Sequence, residues 1–227
     1  MMLTPAAILD RSHAFPGFAR SGLSVGRGSA QGPTGIPMSH ARNAEIYGEG
    51  ENAGCVYRVL SGAVRISKLL PDGRRQISAF HMAGDMFGFE PGDERNFSAE
   101  AIVPTKVLVY RSQSLVSPGA KSEGFLRELL SATTRELRHT QNQLLLMGRK
   151  NALERVAHFL LEMADRAGKK TMLELAMPRH DIADYLGLTL ETVSRMFAEL
   201  KEIGAIRLHG ARRVELLDRE RLAAMAA

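Results

Sequence analysis

Cysteine is nearly missing from this chain: Cys55 is the one thiol among 227 residues. A single cysteine excludes an intrachain disulfide and any zinc or iron–sulfur site built on several thiolates of one chain. That fits a reducing cytoplasm, where the protein is expected to act. Long apolar runs are missing too, since none approaches the roughly 20 residues that a membrane-spanning helix needs. The greasiest helical stretch, Leu144 to Met147, runs at once into Gly148, Arg149 and Lys150, so it reads as a packing or dimer patch, and no membrane partner is expected. The seven histidines are dispersed, with no pair at metal-ligand spacing on a common helix. No metal or other cofactor is therefore expected, and no catalytic residue stands out. Acids are scarce at the start, where Arg11, Arg20 and Arg27 face Asp10 alone. This superficially suggests a targeting peptide, but six glycines, four prolines and no sustained apolar segment in residues 1–40 favour a disordered tail.

Positive charge is present but uninformative about place. The net +5 leans towards an anionic partner, yet residues 1–148 carry 16 basic and 13 acidic side chains and residues 149–227 carry 14 and 12, net +3 and +2. Organisation is the better guide. A chain of this length implies two compact domains and a connector. From about Ile46, Val56 to Leu60, Ala63 to Ile66 and Gln76 to Phe80 place every second residue on one face, as half-buried strands require. Pro71-Asp72-Gly73 marks a turn between the last two, and Phe97 to Ile102 and Lys106 to Tyr110 form a second group. Many short strands at this spacing imply an antiparallel sandwich or barrel-like roll.

Near Leu126 the period changes. Leu126, Leu130, Thr133, Leu137, Thr140, Leu144 and Met147 follow at alternating steps of 4 and 3, the seam of a coiled coil. Such a seam either packs on its own domain or pairs with a second copy; the length of the stretch and the domain that follows it favour dimerisation. Val156, Phe159, Leu160 and Met163 mark a further amphipathic helix that ends near Gly168-Lys169-Lys170, with glycine and cations where a helix C-terminus favours them. The expected domains are thus a tail over 1–43, a roll over 44–120, a dimerisation helix over 121–150 and a second domain over 151–227.

Residues Arg179 to Ala198 meet the template of a helix-turn-helix. Ile182 and Leu186 are apolar one turn apart, Ala183 is small where helices cross, Gly187 supplies the turn and Leu188 plugs the space beneath it. Val193 and Met196 face inward from a second helix capped by Thr189. Its outward residues are Leu190, Glu191, Thr192, Ser194 and Arg195. With this helix in the major groove, Leu190, Glu191, Ser194 and Arg195 meet base edges: arginine binds guanine O6 and N7 in bidentate fashion, and glutamate accepts from the cytosine amino group. The competing account makes Glu191 and Arg195 a surface ion pair one turn apart. Ile206 to Leu208 and Arg213 to Leu216 alternate about Gly210 as a hairpin or wing. Thr189, Thr192, Lys201, Arg212 and Arg213 are the candidate phosphate contacts, with plain solvated charge as the alternative for the last three.

On these residues the chain resembles the CRP/FNR family of bacterial regulators, its FNR and FixK-like branches above all. Glu191-Thr192-Val193-Ser194-Arg195 matches the branch's Glu-x-x-Ser-Arg pattern, Asp181-Ile182 and Tyr185-Leu186-Gly187-Leu188-Thr189 match around it, and Gly84-Asp85-Met86-Phe87-Gly88-Phe89 resembles the family's β-roll turn. The resemblance spans about residues 44–227. It implies an α+β fold: an N-terminal antiparallel β-roll of the cyclic-nucleotide-binding jelly-roll type, a long dimerisation helix and a C-terminal winged helix-turn-helix. It also implies an activating regulator, not an enzyme, that binds double-stranded DNA as a homodimer at a palindromic site with TTGA-type half-sites. RNA polymerase is then a partner, and oxygen-limited respiration or nitrogen metabolism the setting. Arg195 would take the guanine, Glu191 the cytosine side and Ser194 a neighbouring thymine or adenine.

Two departures bear on the input signal. Iron–sulfur members carry an N-terminal cysteine cluster, which this chain lacks, and Cys55 reads as an inert strand residue with a redox switch as the alternative. Members that bind cyclic AMP hold its phosphate with a glycine-glutamate loop followed by Arg-Ser; here Arg95 precedes Asn96, and Asp93 and Glu94 would repel an anion. Pro178 stands where relatives often have a Ser or Thr cap, so that helix is expected to carry proline in its first turn. Two other readings stay open: a regulator gated by a small ligand in the roll, and a cupin-like ligand-binding protein whose C-terminal part only contacts other proteins.

Overall fold

The N-terminal half folds into short strands, in which Ala63 to Ser67 and Ala79 to Met82 are buried on both faces rather than alternately, and the computed structural model describes residues 34–90, 92–112, 123–168 and 171–226. The strands are β1 (Ile36–His40), β2 (Glu45–Tyr47), β3 (Cys55–Ser61), β4 (Ala63–Leu69), β5 (Arg75–Met82), β6 (Met86–Phe87), β7 (Ser98–Ala101) and β8 (Thr105–Arg111). They form two antiparallel sheets, ordered β1-β8-β3-β6 and β2-β7-β4-β5. Val59 and Val107 from one sheet meet Val64 and Ala99 from the other in a closed apolar layer. Tyr57 and Phe87 stack there with ring centres 5.1 Å apart.

The roll starts before residue 44. Strand β1 pairs with β8 in the register Ile36 to Val109, and it lies at a sheet edge, the place in a sheet where a proline such as Pro37 is tolerated. The rest of the expected tail, residues 1–33, lies outside the described residues, as do Lys169 and Lys170.

Helix α1 (Glu123–Arg149) carries two stripes, each stepping by 4 and 3. Phe125, Leu129, Ala132, Glu136, His139, Gln143 and Leu146 are buried or half-buried, and Phe125 packs 4.9 Å from the Tyr110 ring. The adjacent stripe is the seam. After it come α2 (Ala152–Arg166), α3 (Arg179–Leu186), α4 (Leu190–Glu202) and α5 (Arg219–Ala226). Asn151 starts α2 with a capping box: its side chain accepts from the Glu154 amide while the Glu154 carboxylate accepts from the Asn151 amide. The Arg155 guanidinium then donates to the carbonyls of Met147 and Lys150 at the end of α1 and of Leu186 at the end of α3, where helix dipoles favour a cation.

The wing is a three-stranded sheet rather than a bare hairpin. β9 (Met172–Glu174) pairs with β11 (Arg213–Leu216), which pairs with β10 (Ile206–Leu208). Nor is Pro178 inside a helical turn: it is the extended residue before α3, with ψ near 166° and no side-chain cap. The two halves share one core. Ile77, Phe80 and Met82 of the roll join Phe159, Leu160, Ile182 and Tyr185, and Phe80 lies 5.0 Å from the Tyr185 ring.

Candidate nucleic-acid interface

Helices α3 and α4 are locked together by their apolar faces. Ile182, Ala183, Leu186, Val193 and Met196 are all buried. Between them Gly187 adopts φ of +62°, a left-handed cap that L side chains rarely take, and the Leu188 amide bonds back to the Ala183 carbonyl. The Thr189 hydroxyl accepts from the Thr192 amide at 3.2 Å and so caps α4.

This packing turns Leu190, Glu191, Ser194 and Arg195 outward, and all four are exposed. Thr192 is half-buried, and its hydroxyl accepts from that of Thr189 at 3.1 Å. Glu191 does not rely on Arg195. Its carboxyl is held below the ordinary glutamate range by its own backbone amide and then by the Thr189 hydroxyl, with Arg195 absent from the causes. Among the described residues Glu191 and Arg195 form no ion pair, and both side chains are exposed. Ser194 donates to the Leu190 carbonyl at 2.9 Å, which leaves its oxygen free to accept.

Around this helix, charges divide into used and unused. Across the wing, Glu215 accepts from Arg207 at 3.0 Å and pairs with His209 at 2.9 Å; His209 and then Arg207 hold its carboxyl below the usual range. Lys201 and Arg213 are exposed, Arg212 is half-buried, and none of the three joins an ion pair within the described residues. A further cation escaped the reading from sequence. The Arg179 guanidinium lies 3.3 Å over the Phe197 ring centre, its Nη1 has no partner, and burial pushes its pKa down to about 10. Its position at the first residue of α3 was the available signal.

The seam stripe is exposed along most of its length, although Thr140, Leu144 and Met147 also border the cavity between α1 and the roll. Leu130, Leu137 and Leu144 are 69, 60 and 70% exposed. Thr133 and Thr140 donate their hydroxyls to the Leu129 and Glu136 carbonyls one turn back, so each can offer a methyl group to the seam. The buried contacts of this helix with its own domain come mainly from the other stripe, through Ala132 and Leu146.

In the roll, Arg95 is turned inward. It is 2% exposed, donates to the Gly88 carbonyl at 2.9 Å and the Cys55 carbonyl at 2.5 Å, and lies 4.1 Å over the Tyr47 ring. Gly88 permits this approach, because a Cβ there would stand 3.1 Å from the Arg95 Nη1 and 3.0 Å from the Tyr57 ring at a φ of +86°. Beside α1 a cavity of about 520 Å³ is lined largely by apolar side chains such as Ile66, Phe87 and Leu144, with the Glu90 and Glu136 carboxylates and, among the described residues, no lysine or arginine. These residues do not fit a cyclic phosphate, which needs an unengaged cation and would meet two acids. Cys55 is a half-buried free thiol in β3. Among the described residues no group of His, Cys, Asp or Glu is placed to hold a metal ion, and no helix is long and apolar enough to cross a membrane.

Comparison with known proteins agrees with this geometry. A model of the Crp-like helix-turn-helix domain matches residues 154–225, and one of the cyclic nucleotide-binding domain matches residues 37–117. The nitrogen fixation regulation protein FixK of Azorhizobium caulinodans is 46% identical over 83% of this chain and 78% of its own length. The transcriptional activator Anr of Pseudomonas aeruginosa is 32% identical over 80% of this chain and 76% of its own. The solved structure of FixK2 from Bradyrhizobium japonicum superposes with a TM-score of 0.80 at 47% identity, covering 86% of this chain and 98% of that one. These relatives are regulators and not enzymes, which removes the cupin-like reading. The chain belongs to the CRP/FNR family of DNA-binding transcription regulators, in its FixK-like branch.

Proposed function

We propose that the protein is a cytoplasmic transcription activator that binds, as a homodimer and without a small effector, an inverted repeat with TTGA-type half-sites. The observation that carries this reading is the outward, unpaired state of Glu191 and Arg195 on a capped helix. Arg195 takes guanine O6 and N7, Glu191 accepts from the cytosine amino group of the same region, and Ser194 accepts from a neighbouring adenine amino group. Leu190 supplies apolar contact to a thymine methyl. Thr189, Thr192, Lys201, Arg212, Arg213 and Arg179 hold phosphates and fix register without reading sequence. The seam residues Leu126, Leu130, Thr133, Leu137, Thr140, Leu144 and Met147 pair two copies, which puts two reading helices about one DNA turn apart. RNA polymerase is the second partner of an activator so placed. The name of the FixK relative supports genes of nitrogen fixation as targets, and oxygen-limited respiration is the other setting that the family resemblance implies.

A second reading, gating by a small ligand, draws on the cavity beside α1, whose chemistry suits an apolar molecule rather than a nucleotide. One gel-shift series separates the two. Ligand-free protein that retards a TTGA inverted repeat but not a scrambled duplex supports the first reading. Retardation seen only after an apolar small-molecule mixture is added supports the second. No preference in either case rejects both.

A further inference from the structure

Two reading helices serve one DNA site only if each keeps a fixed angle to its own roll and dimer helix. Helix α4 is bound tightly to α3, so whatever fixes α3 fixes the reader. Only Lys150 and Asn151 separate α1 from α2, and Arg155 ties the ends of α1, α2 and α3 together. The roll-facing side of α3 is held differently. Asp181 is fully buried in its first turn, and two arginines from adjacent roll strands close on its carboxylate: Arg65 Nη1 at 2.9 Å and Arg75 Nη2 at 2.5 Å. Arg75 Nε also donates to Asp184 at 2.8 Å, Arg65 Nε donates to Glu100 at 2.7 Å, and Gln76 donates to the Asp184 backbone carbonyl at 2.8 Å. The His180 ring stands 3.1 Å from Asp181 on the outer side.

We propose that Arg65, Arg75, Asp181 and Asp184 are positioning residues for DNA reading: an ionic latch between roll and winged domain that sets the angle of the reading helix, and with it the half-site spacing the dimer accepts. Affinity between the halves does not require such a latch, because apolar side chains of the same volume serve as well or better. Shape discrimination does. Asp181 and Asp184 lie three residues apart on one helix face, so Arg75 meets both only in one register. A slip of α3 by one turn, about 5.4 Å, would strand a buried carboxylate among apolar neighbours. The shared apolar core holds the domains together, and the latch selects which of its packings is occupied.

This inference rests on the proposed inverted-repeat function, and its test separates the two. Affinities of the full chain, of R75E and of R75E/D184R are measured for one half-site and for inverted repeats whose spacer is cognate, one base pair longer or one shorter. Arg75 and Asp184 are both partly solvated, at 25 and 29% side-chain exposure, which lowers the risk of misfolding. R75E should remain dimeric by light scattering and bind a single half-site within about twofold of the parent. If the unlatched domain holds its reading angle about a tenth of the time, the cognate repeat weakens at least tenfold and the spacer preference flattens. R75E/D184R should restore both. An R75E protein that keeps the parental spacer preference overturns the latch, and so does one that loses single half-site binding, because the damage then lies in the reader itself. A parent chain that never prefers a repeat rejects the proposed function, visibly before any variant is made.

Discussion

The roll and the winged domain carry nearly the same net charge, yet the arginines at their candidate ligand positions are used differently. In the roll, Arg65 and Arg75 are committed to carboxylates, Arg95 to carbonyls and a tyrosine ring, and Arg58 to Glu128 of α1 at 2.6 Å. In the winged domain Arg195, Arg213 and Lys201 face solvent and join no ion pair among the described residues. What points to a nucleic acid is therefore not the sum of charges but the exposed cations of the helix-turn-helix and wing that have no carboxylate partner among the described residues. The same contrast explains how a cyclic-nucleotide-type roll can sit in a protein whose residues do not fit the nucleotide: the arginine at the phosphate position serves the fold instead.

The largest effect should come from breaking the proposed dimer. Leu137→Asp places a charge on the seam, where pairing would bury it without a partner. Light scattering should give monomers, and affinity for the repeat should fall by roughly two orders of magnitude as the second head is lost. A dimer that survives the substitution would remove the seam from the account.

Smaller, and sharper about sequence, is Glu191→Ala. It should cost about 1–3 kcal/mol at the matched site and flatten preference at its cytosine position, measured by competition with duplexes altered there. Full discrimination in the variant would take the role from Glu191. Smallest is the double substitution R212A/R213A, aimed at wing charges that read no base. Binding should weaken about equally on matched and unmatched DNA, and the slope of log affinity against log salt should drop by about one for each phosphate no longer neutralised. A weakening confined to the matched site would mean that the wing reads sequence.

Much of this was legible because it is local. The helix-turn-helix shows in the spacing of Ile182, Leu186, Gly187 and Val193, since a tight two-helix turn constrains each of those positions. The strands from Val56 to Tyr110 show through alternation, and the seam through its steps of 4 and 3. Strand β1 did not, because an edge strand tolerates Pro37 and lies in a glycine-rich stretch that resembles a tail. β9 spans three residues, too few for a period to appear. The inner stripe of α1 hid because Glu136, His139 and Gln143 pack as half-buried polar groups. The latch could not be seen at all: Arg65 and Asp181 are 116 positions apart, and nothing near either announces the other. Asp181 among buried apolar neighbours in a helix-turn-helix was the one hint.

The central claim is that Arg195 reads guanine, and a double-mutant cycle tests it most directly. Affinities are measured for the parent chain and Arg195→Ala, each on the TTGA repeat and on the repeat with its guanines replaced by adenine. The account predicts that either change alone costs about 1–3 kcal/mol and that the two together cost little more than one, because both remove the same contact. Losses that simply add would show that the side chain and the base never meet, and the proposed recognition would fall with them.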